Sequence, residues 1–238
     1  MTITLDGLRT DIRAKFQNLS PAILSEETLD LDIKLAIARL SHDRPNEANY
    51  SLSATGEKHS LTALISNWLP GFSTVRQVWI PIPTTSMDNV EPVESESYRV
   101  VPIGAVDYLF VSGGIGSGGA LIVYTVPWTL TGINGAVATT LTDVLYPALL
   151  WISCSHVALS QAAKMAGQRE KQHPADFVNF GTSNADQYRR QAREFEKSYL
   201  SEIGLDRDRP KAVSVTRSYR GVRQDGEPYM THRSTMFR

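Results

Sequence analysis

The spacing of apolar residues changes period twice along this 238-residue chain, and that double switch constrains the fold more than any single motif. From Ser25, Leu29, Ile33, Ala36, Ile37 and Leu40 recur three and four residues apart, which places them on one face of a helix. Glu26, Glu27 and Asp30 sit in its first turn, where the helix dipole favours acids. Ser25 with Thr28 forms a weak cap, and Pro45 forces an end near Asp43. From Glu47 to about Thr131 the pattern becomes short alternating runs, which predicts strands at Tyr50–Ser53, Ser60–Leu64, Phe72–Ile82, Tyr98–Ile103, Ala105–Val111 and Ala120–Val126. Gly104 marks a tight turn, Thr84–Glu96 an acidic loop, and Pro81 an edge for its strand. From Thr140 the helical period returns. Leu145, Leu149, Ile152, His156, Leu159 and Ala163 form a stripe on a predicted central helix over Leu141–Ala166. Thr140 and Asp143 have capping-box spacing, Pro147 falls near the start, and Gly167 is the stop. A last helix, Asn184–Ile203, carries Tyr188, Ala192, Phe195, Tyr199 and Ile203 and ends at Gly204.

This order predicts an α+β fold: a helical bundle (1–46 and 132–204), an inserted small β-sandwich or barrel-like domain (47–131) and an extended C-terminal docking arm (205–238). A hydrophobic content of 42% supports a sizeable core, and a net charge of −1 provides no global basic field to draw the chain onto nucleic acid. The lone Cys154, in an apolar run, reads as a buried small hydrophobe made in a reducing compartment. The opening MTITLDGLRTDIRAKF lacks the apolar core of a signal peptide. The apolar stretch Leu145–Leu159 is interrupted by Pro147, Ser153, Ser155 and His156, so neither export nor a membrane partner is expected.

Candidate chemistry is sparse. Gly114, Gly116 and Gly119 match G-x-G-x-x-G, but that motif acts where a helix N-terminus follows to meet a pyrophosphate. Here Ala120–Val126 reads as a strand, so the run is expected to be a mobile hairpin tip. His42, His59, His156, His173 and His232 show no metal-ligand spacing, and His156 on an apolar helix reads as a core or interface residue. Glu91, Glu94 and Glu96 read as a solvated acidic loop. No catalytic residue, cofactor or metal is expected.

Residues 205–238 differ from the rest. Eight basic residues against four acids make the segment +4, which leaves −5 for the remainder. Large apolar residues are too few for a core, so the segment is expected to order on a partner. Val213, Val215, Tyr219, Tyr229 and Phe237 are candidate anchors. Arg217, Arg220 and Arg223, three residues apart, suit carboxylates on an acidic face.

The order of short motifs carries a resemblance. The first helix ends in Ser41-His42-Asp43-Arg44-Pro45. A turn reads Asn67-Trp68-Leu69-Pro70-Gly71-Phe72-Ser73-Thr74-Val75, and a strand ends Val123-Tyr124-Thr125. The closing helix runs from Tyr188-Arg189-Arg190-Gln191-Ala192 to Tyr199 and Gly204. Over roughly residues 25–204 the chain resembles the head–tail adaptor (head-completion, or connector) proteins of tailed bacteriophages. The linker 167–183 and the longer tail depart from that pattern. The resemblance implies a structural, non-enzymatic protein at the virion neck, made in the host cytoplasm. It further implies a ring with copies of itself, expected as a dodecamer, seated under the portal protein. Such a ring would extend the channel for genomic DNA, which passes without sequence specificity, and would receive the downstream neck or tail component. The competing readings are a hydrolase or carbohydrate-binding protein on a β-sandwich with a helical annex, or a stopper or terminator of the same neck.

Overall fold

A computed structural model describes residues 3–16, 24–83, 92–94, 97–168 and 184–205. The chain divides into two units, Met1–Asp206 and Arg207–Arg238. It is an α+β fold with two small antiparallel sheets.

Helix α1 (Leu5–Lys15) was not anticipated, although Leu8, Ile12 and Phe16 have helical spacing. Thr4 caps it by accepting from the Gly7 N–H at 3.2 Å. Helix α2 (Glu26–Asp43) matches its expected bounds. Ser25 caps it, and its predicted apolar face, Leu29, Ile33, Ala36, Ile37 and Leu40, is buried. Arg9 joins the two helices with a bidentate bond to Asp30, Nε to Oδ1 at 2.9 Å and Nη2 to Oδ2 at 2.7 Å.

The C-terminal helices complete this apolar cluster. A 3-10 turn, Asp143–Leu145, leads into α4 (Tyr146–Gln168), so α4 begins five residues later than expected and runs one residue past Gly167. The predicted capping box does not form. Thr140 is instead held by Thr129, whose N–H donates to its Oγ1 at 2.9 Å. Helix α4 packs against α1, α2 and α5 (Asn184–Glu202), as suits a helix that is apolar nearly all round. Ala192 and Tyr199 of α5 and Ile203 just after it are buried, while Phe195 stacks on the half-buried Trp151 with centroids 5.8 Å apart. Gly204, at φ 67°, ends α5, where the Leu205 N–H returns to the Leu200 carbonyl at 2.8 Å.

Between the helices lie β1 (Asn46–Leu52), β2 (Gly56–Ser60), the one-turn helix α3 (Leu61–Leu64), β3 (Val75–Trp79), β4 (Tyr98–Ile103), β5 (Val106–Ile115) and β6 (Ala120–Val126). The predicted strand Ser60–Leu64 is therefore a helical turn, started by Ser60, whose Oγ accepts from the Ala63 N–H at 3.3 Å. The sheet orders are β1-β6-β3 and β2-β5-β4.

The glycine-rich segment is the main correction. A hairpin tip would pair β5 with β6, yet the two strands lie in different sheets. Their partners show why: Leu52 pairs with Ala120, and Gly56 with Ile115. Residues 106–126 thus run as one bent strand alongside the equally bent 46–60. Ser112–Ile115 remain strand, and the bend falls at Gly116–Gly119. A Cβ at Gly119, where φ is 66°, would sit 2.8 Å from the Leu52 carbonyl oxygen, and one at Gly118 would sit 2.7 Å from Pro81. These glycines permit close backbone approach, which is a different use from mobility.

Candidate functional site

The motifs behind the resemblance bond to one another across long sequence separations. Ser41 donates to the Ile37 carbonyl at 2.7 Å and accepts from the Trp128 N–H at 3.0 Å. The Trp128 indole N–H donates to the Arg44 carbonyl at 2.6 Å. Asp43 accepts from Arg39 Nε at 2.7 Å and from the Tyr199 hydroxyl at 2.8 Å. Burial alone would raise the Asp43 pKa, but Arg39, Tyr199 and His42 outweigh it and hold the carboxyl below its ordinary range. The Ser-His-Asp-Arg-Pro run is thus a joint. It seats the helix end on the segment after β6 and on the closing helix.

The second motif set lies among the strands. The Trp68 indole N–H donates to the buried Asp107 at 2.8 Å, and the Tyr124 hydroxyl donates to Asn67. The Thr74 N–H donates to Thr125 Oγ1 at 2.8 Å, and Ser73 accepts from the Leu69 N–H at 3.0 Å. In the closing helix, the Ala192 carbonyl accepts from Ser155 at 3.0 Å. These residues hold the fold together.

Two surfaces remain for recognition. The first is on the helices. Leu31 and Leu35 of α2 are 57% and 47% exposed, and Leu159 of α4 is 48% exposed. The predicted α4 stripe therefore enters solvent at Leu159 and Ala163, and His156 is half-buried. Asp32 accepts from Ser160 at 2.9 Å across the two helices. Asp32 Oδ2, His156 Nε2, Ser153 Oγ and both amide atoms of Gln161 are buried and have no hydrogen-bond partner among the described residues. Burial raises the Asp32 pKa and lowers that of His156, each shift disfavouring the charged form. Helix α5 adds an exposed basic ridge of Arg189, Arg190, Arg193 and Lys197.

The second surface is the outer face of β2, β5 and β4. Strand β5 alternates, burying Asp107, Leu109 and Val111 and turning Tyr108 and Phe110 outward. Register places Lys58 and Arg99 on either side of Phe110. The Lys58 ammonium lies 4.2 Å from the Tyr108 ring centroid and 5.8 Å from that of Phe110, and the Arg99 guanidinium lies 5.5 Å from Phe110. Beside this row is a depression of about 280 Å³ lined by Glu57, Tyr98, Arg99, Phe110, Val111 and Ser112. Alternation along β5 places Tyr108 and Phe110 on one face, and strand register brings the two cations to it.

The sequence-predicted partner residues Val213, Val215, Arg217, Tyr219, Arg220, Arg223, Tyr229 and Phe237 lie outside the described residues, as do Glu91, Glu96, His173 and His232. Glu94 is exposed. Cys154 is buried, and burial pushes its thiol pKa up to about 12, which leaves it an inert core thiol. Among the described residues no His, Cys, Asp and Glu cluster could hold a metal ion, and no helix is long and apolar enough to cross a membrane. Neither the family models nor the curated proteins contain a match to this chain.

Proposed function

We propose that this protein is a virion structural subunit, a head–tail adaptor that assembles as a ring beneath the portal, extends the DNA channel and presents the attachment site for the next neck or tail component. In this reading the finer architecture is a helical bundle bearing a small inserted β-sandwich or barrel-like lobe, with residues 205–238 as the docking arm. The observation that carries the proposal is the uncovered side of α2 and α4. Leu31, Leu35 and Leu159 are exposed on two helices that also carry buried polar atoms with no partner among the described residues. Such a surface is costly on an isolated chain and favourable once another subunit covers it. A closed ring covers it on every copy. The ordered motifs support the same reading, because their residues form the two bonded networks described above. The ridge on α5 is expected to face protein, since basic residues on the channel wall would retain DNA.

The test is negative-stain imaging of the full chain mixed with isolated portal rings. Added density at one end of the portal is expected. Deletion after Gly204 should leave a folded chain that no longer joins the portal. A full-length chain that stays monomeric and leaves portal rings bare would overturn the proposal.

A further inference from the structure

We infer that the outer face of β2, β5 and β4 binds single-stranded nucleic acid, stacking two bases and neutralising two phosphates. The inference goes beyond the adaptor reading and does not rest on it. Register fixes what this face carries. Lys58 and Ser60 of β2, Val106, Tyr108 and Phe110 of β5, and Arg99, Val101 and Ile103 of β4 share it, and no carboxylate stands among them. The two rings are two residues apart on the middle strand, rooted roughly 7 Å from each other. Lys58 and Arg99 flank Phe110 on the neighbouring strands, and both are exposed. Among the described residues neither has a carboxylate within ion-pair distance.

Rings beside cations that no acid neutralises are what a single strand can use. Every base has a π-face that stacks on an aromatic side chain, and every backbone step carries a phosphate for a cation. A sheet with aromatic residues on its open face takes two or three splayed bases in this way. In the free chain the cations cover the rings, the Lys58 ammonium 4.2 Å from the Tyr108 centroid and the Arg99 guanidinium 5.5 Å from that of Phe110. A cation–ring contact at an exposed site is weaker than a stacked base, and both side chains have long, flexible stems. A base therefore takes the ring face, and the displaced cation turns to the adjoining phosphate. The depression of about 280 Å³ lined by Tyr98, Arg99, Phe110 and Ser112 leaves room beside the Phe110 ring. Glu57 also lines it, and its charge opposes a polyanion. An acidic protein segment would use the cations and leave both rings idle. Duplex DNA would do the same, because its bases stay paired inside the helix. A net charge of −1 is no obstacle, since stacking is short-range and only two phosphates are neutralised.

The experiment is fluorescence anisotropy of the full-length chain with a labelled deoxythymidine oligonucleotide about twelve residues long. The wild type should bind it and weaken roughly sevenfold between about 50 and 200 mM salt, as two phosphate contacts on a single strand require. Phe110→Ala should weaken binding on the order of tenfold, and Phe110→Tyr, which keeps a ring, should retain it. Lys58→Gln with Arg99→Gln changes only exposed side chains, and it should remove most of the salt dependence. Glu57→Gln should tighten binding. The inference is overturned if the wild type leaves the oligonucleotide free, or if a duplex of the same length binds equally well. It is overturned if the Lys58 and Arg99 double variant binds as the wild type does, which would assign the strand to the basic segment 205–238. It is also overturned if a polyglutamate peptide of the same charge displaces the strand at equal concentration, which would assign the face to an acidic protein segment.

Discussion

Among the strands, His59, Ser73, Asp107 and Thr125 are buried, and each meets a partner: the Gly56 carbonyl, the Leu69 N–H, the Trp68 indole and the Thr74 N–H respectively. Among the helices, Asp32, Ser153, His156 and Gln161 keep side-chain atoms buried with no partner among the described residues. The strand region satisfies these buried polar groups internally. The helical region does not, while both regions expose large apolar residues: Leu31, Leu35, Leu159 and Leu205 among the helices, and Leu64, Leu69 and Ile103 among the strands. Buried polar atoms without partners cost stability, so the helical region is the less internally satisfied of the two. That matches the ring contact proposed for α2 and α4.

The comparison can be broken most forcefully at Trp68. Trp68→Ala removes a buried ring and leaves the Asp107 carboxylate without its indole donor. A loss of about 3–5 kcal/mol in denaturant unfolding is expected. A loss under about 1 kcal/mol would show that the strand region is not internally closed.

Next comes the bend. Gly119→Ala forces a residue with a Cβ into φ 66° and against the Leu52 carbonyl, at a cost of about 2–4 kcal/mol. Gly116→Ala meets nothing within 4 Å and should stay within about 0.5 kcal/mol of wild type. Equal effects at the two sites would mean that the glycines serve mobility after all.

A smaller loss is expected at the joint. Tyr199 is fully buried, and its hydroxyl donates to Asp43. Tyr199→Phe should cost about 1–2 kcal/mol, measured by thermal or denaturant unfolding.

The smallest effect has the opposite sign. Asp32→Asn keeps an acceptor for Ser160 and removes a buried charge. It should leave stability unchanged or raise it by about 1 kcal/mol at pH 7. Burial raises the folded-state pKa of Asp32, so the folded chain holds this proton to higher pH than the unfolded chain does. The stabilising contribution of Asp32 is therefore full below its ordinary value and is lost as pH rises through the raised one. The advantage of Asn should open over that window in unfolding curves taken across a pH series. A variant that destabilised at neutral pH would show that Asp32 is paired in solution and would close the gap between the two regions.

Much of the architecture was legible in local pattern. The bounds of α2, its Ser25 cap, strands β4 and β6 and the stop at Gly204 follow from periodicity and terminal chemistry, which act over one or two turns. The misreadings share one cause. Thr140 left its capping role for Thr129, and Ser60–Leu64 alternates like a strand but turns as a helix after Ser60. In each case a partner at some distance, or a single capping bond, outweighed the pattern. Helix α1 is different: its spacing was visible, but its apolar face is short.

The candidate sites divide in the same way. The sequence by itself determined most of the helical and extended segments, which faces are apolar, and that one tail is basic and poor in large apolar residues, because period, charge and turn chemistry are properties of neighbouring residues. Only the tertiary structure decided that β5 and β6 are one bent strand, that Ser41 and Asp43 meet Trp128 and Tyr199, and that Lys58 and Arg99 share Phe110. Strand register and helix contact depend on the whole packed chain, and a glycine run permits a hairpin, a hinge or a bend equally well until a neighbouring backbone comes close enough to select one.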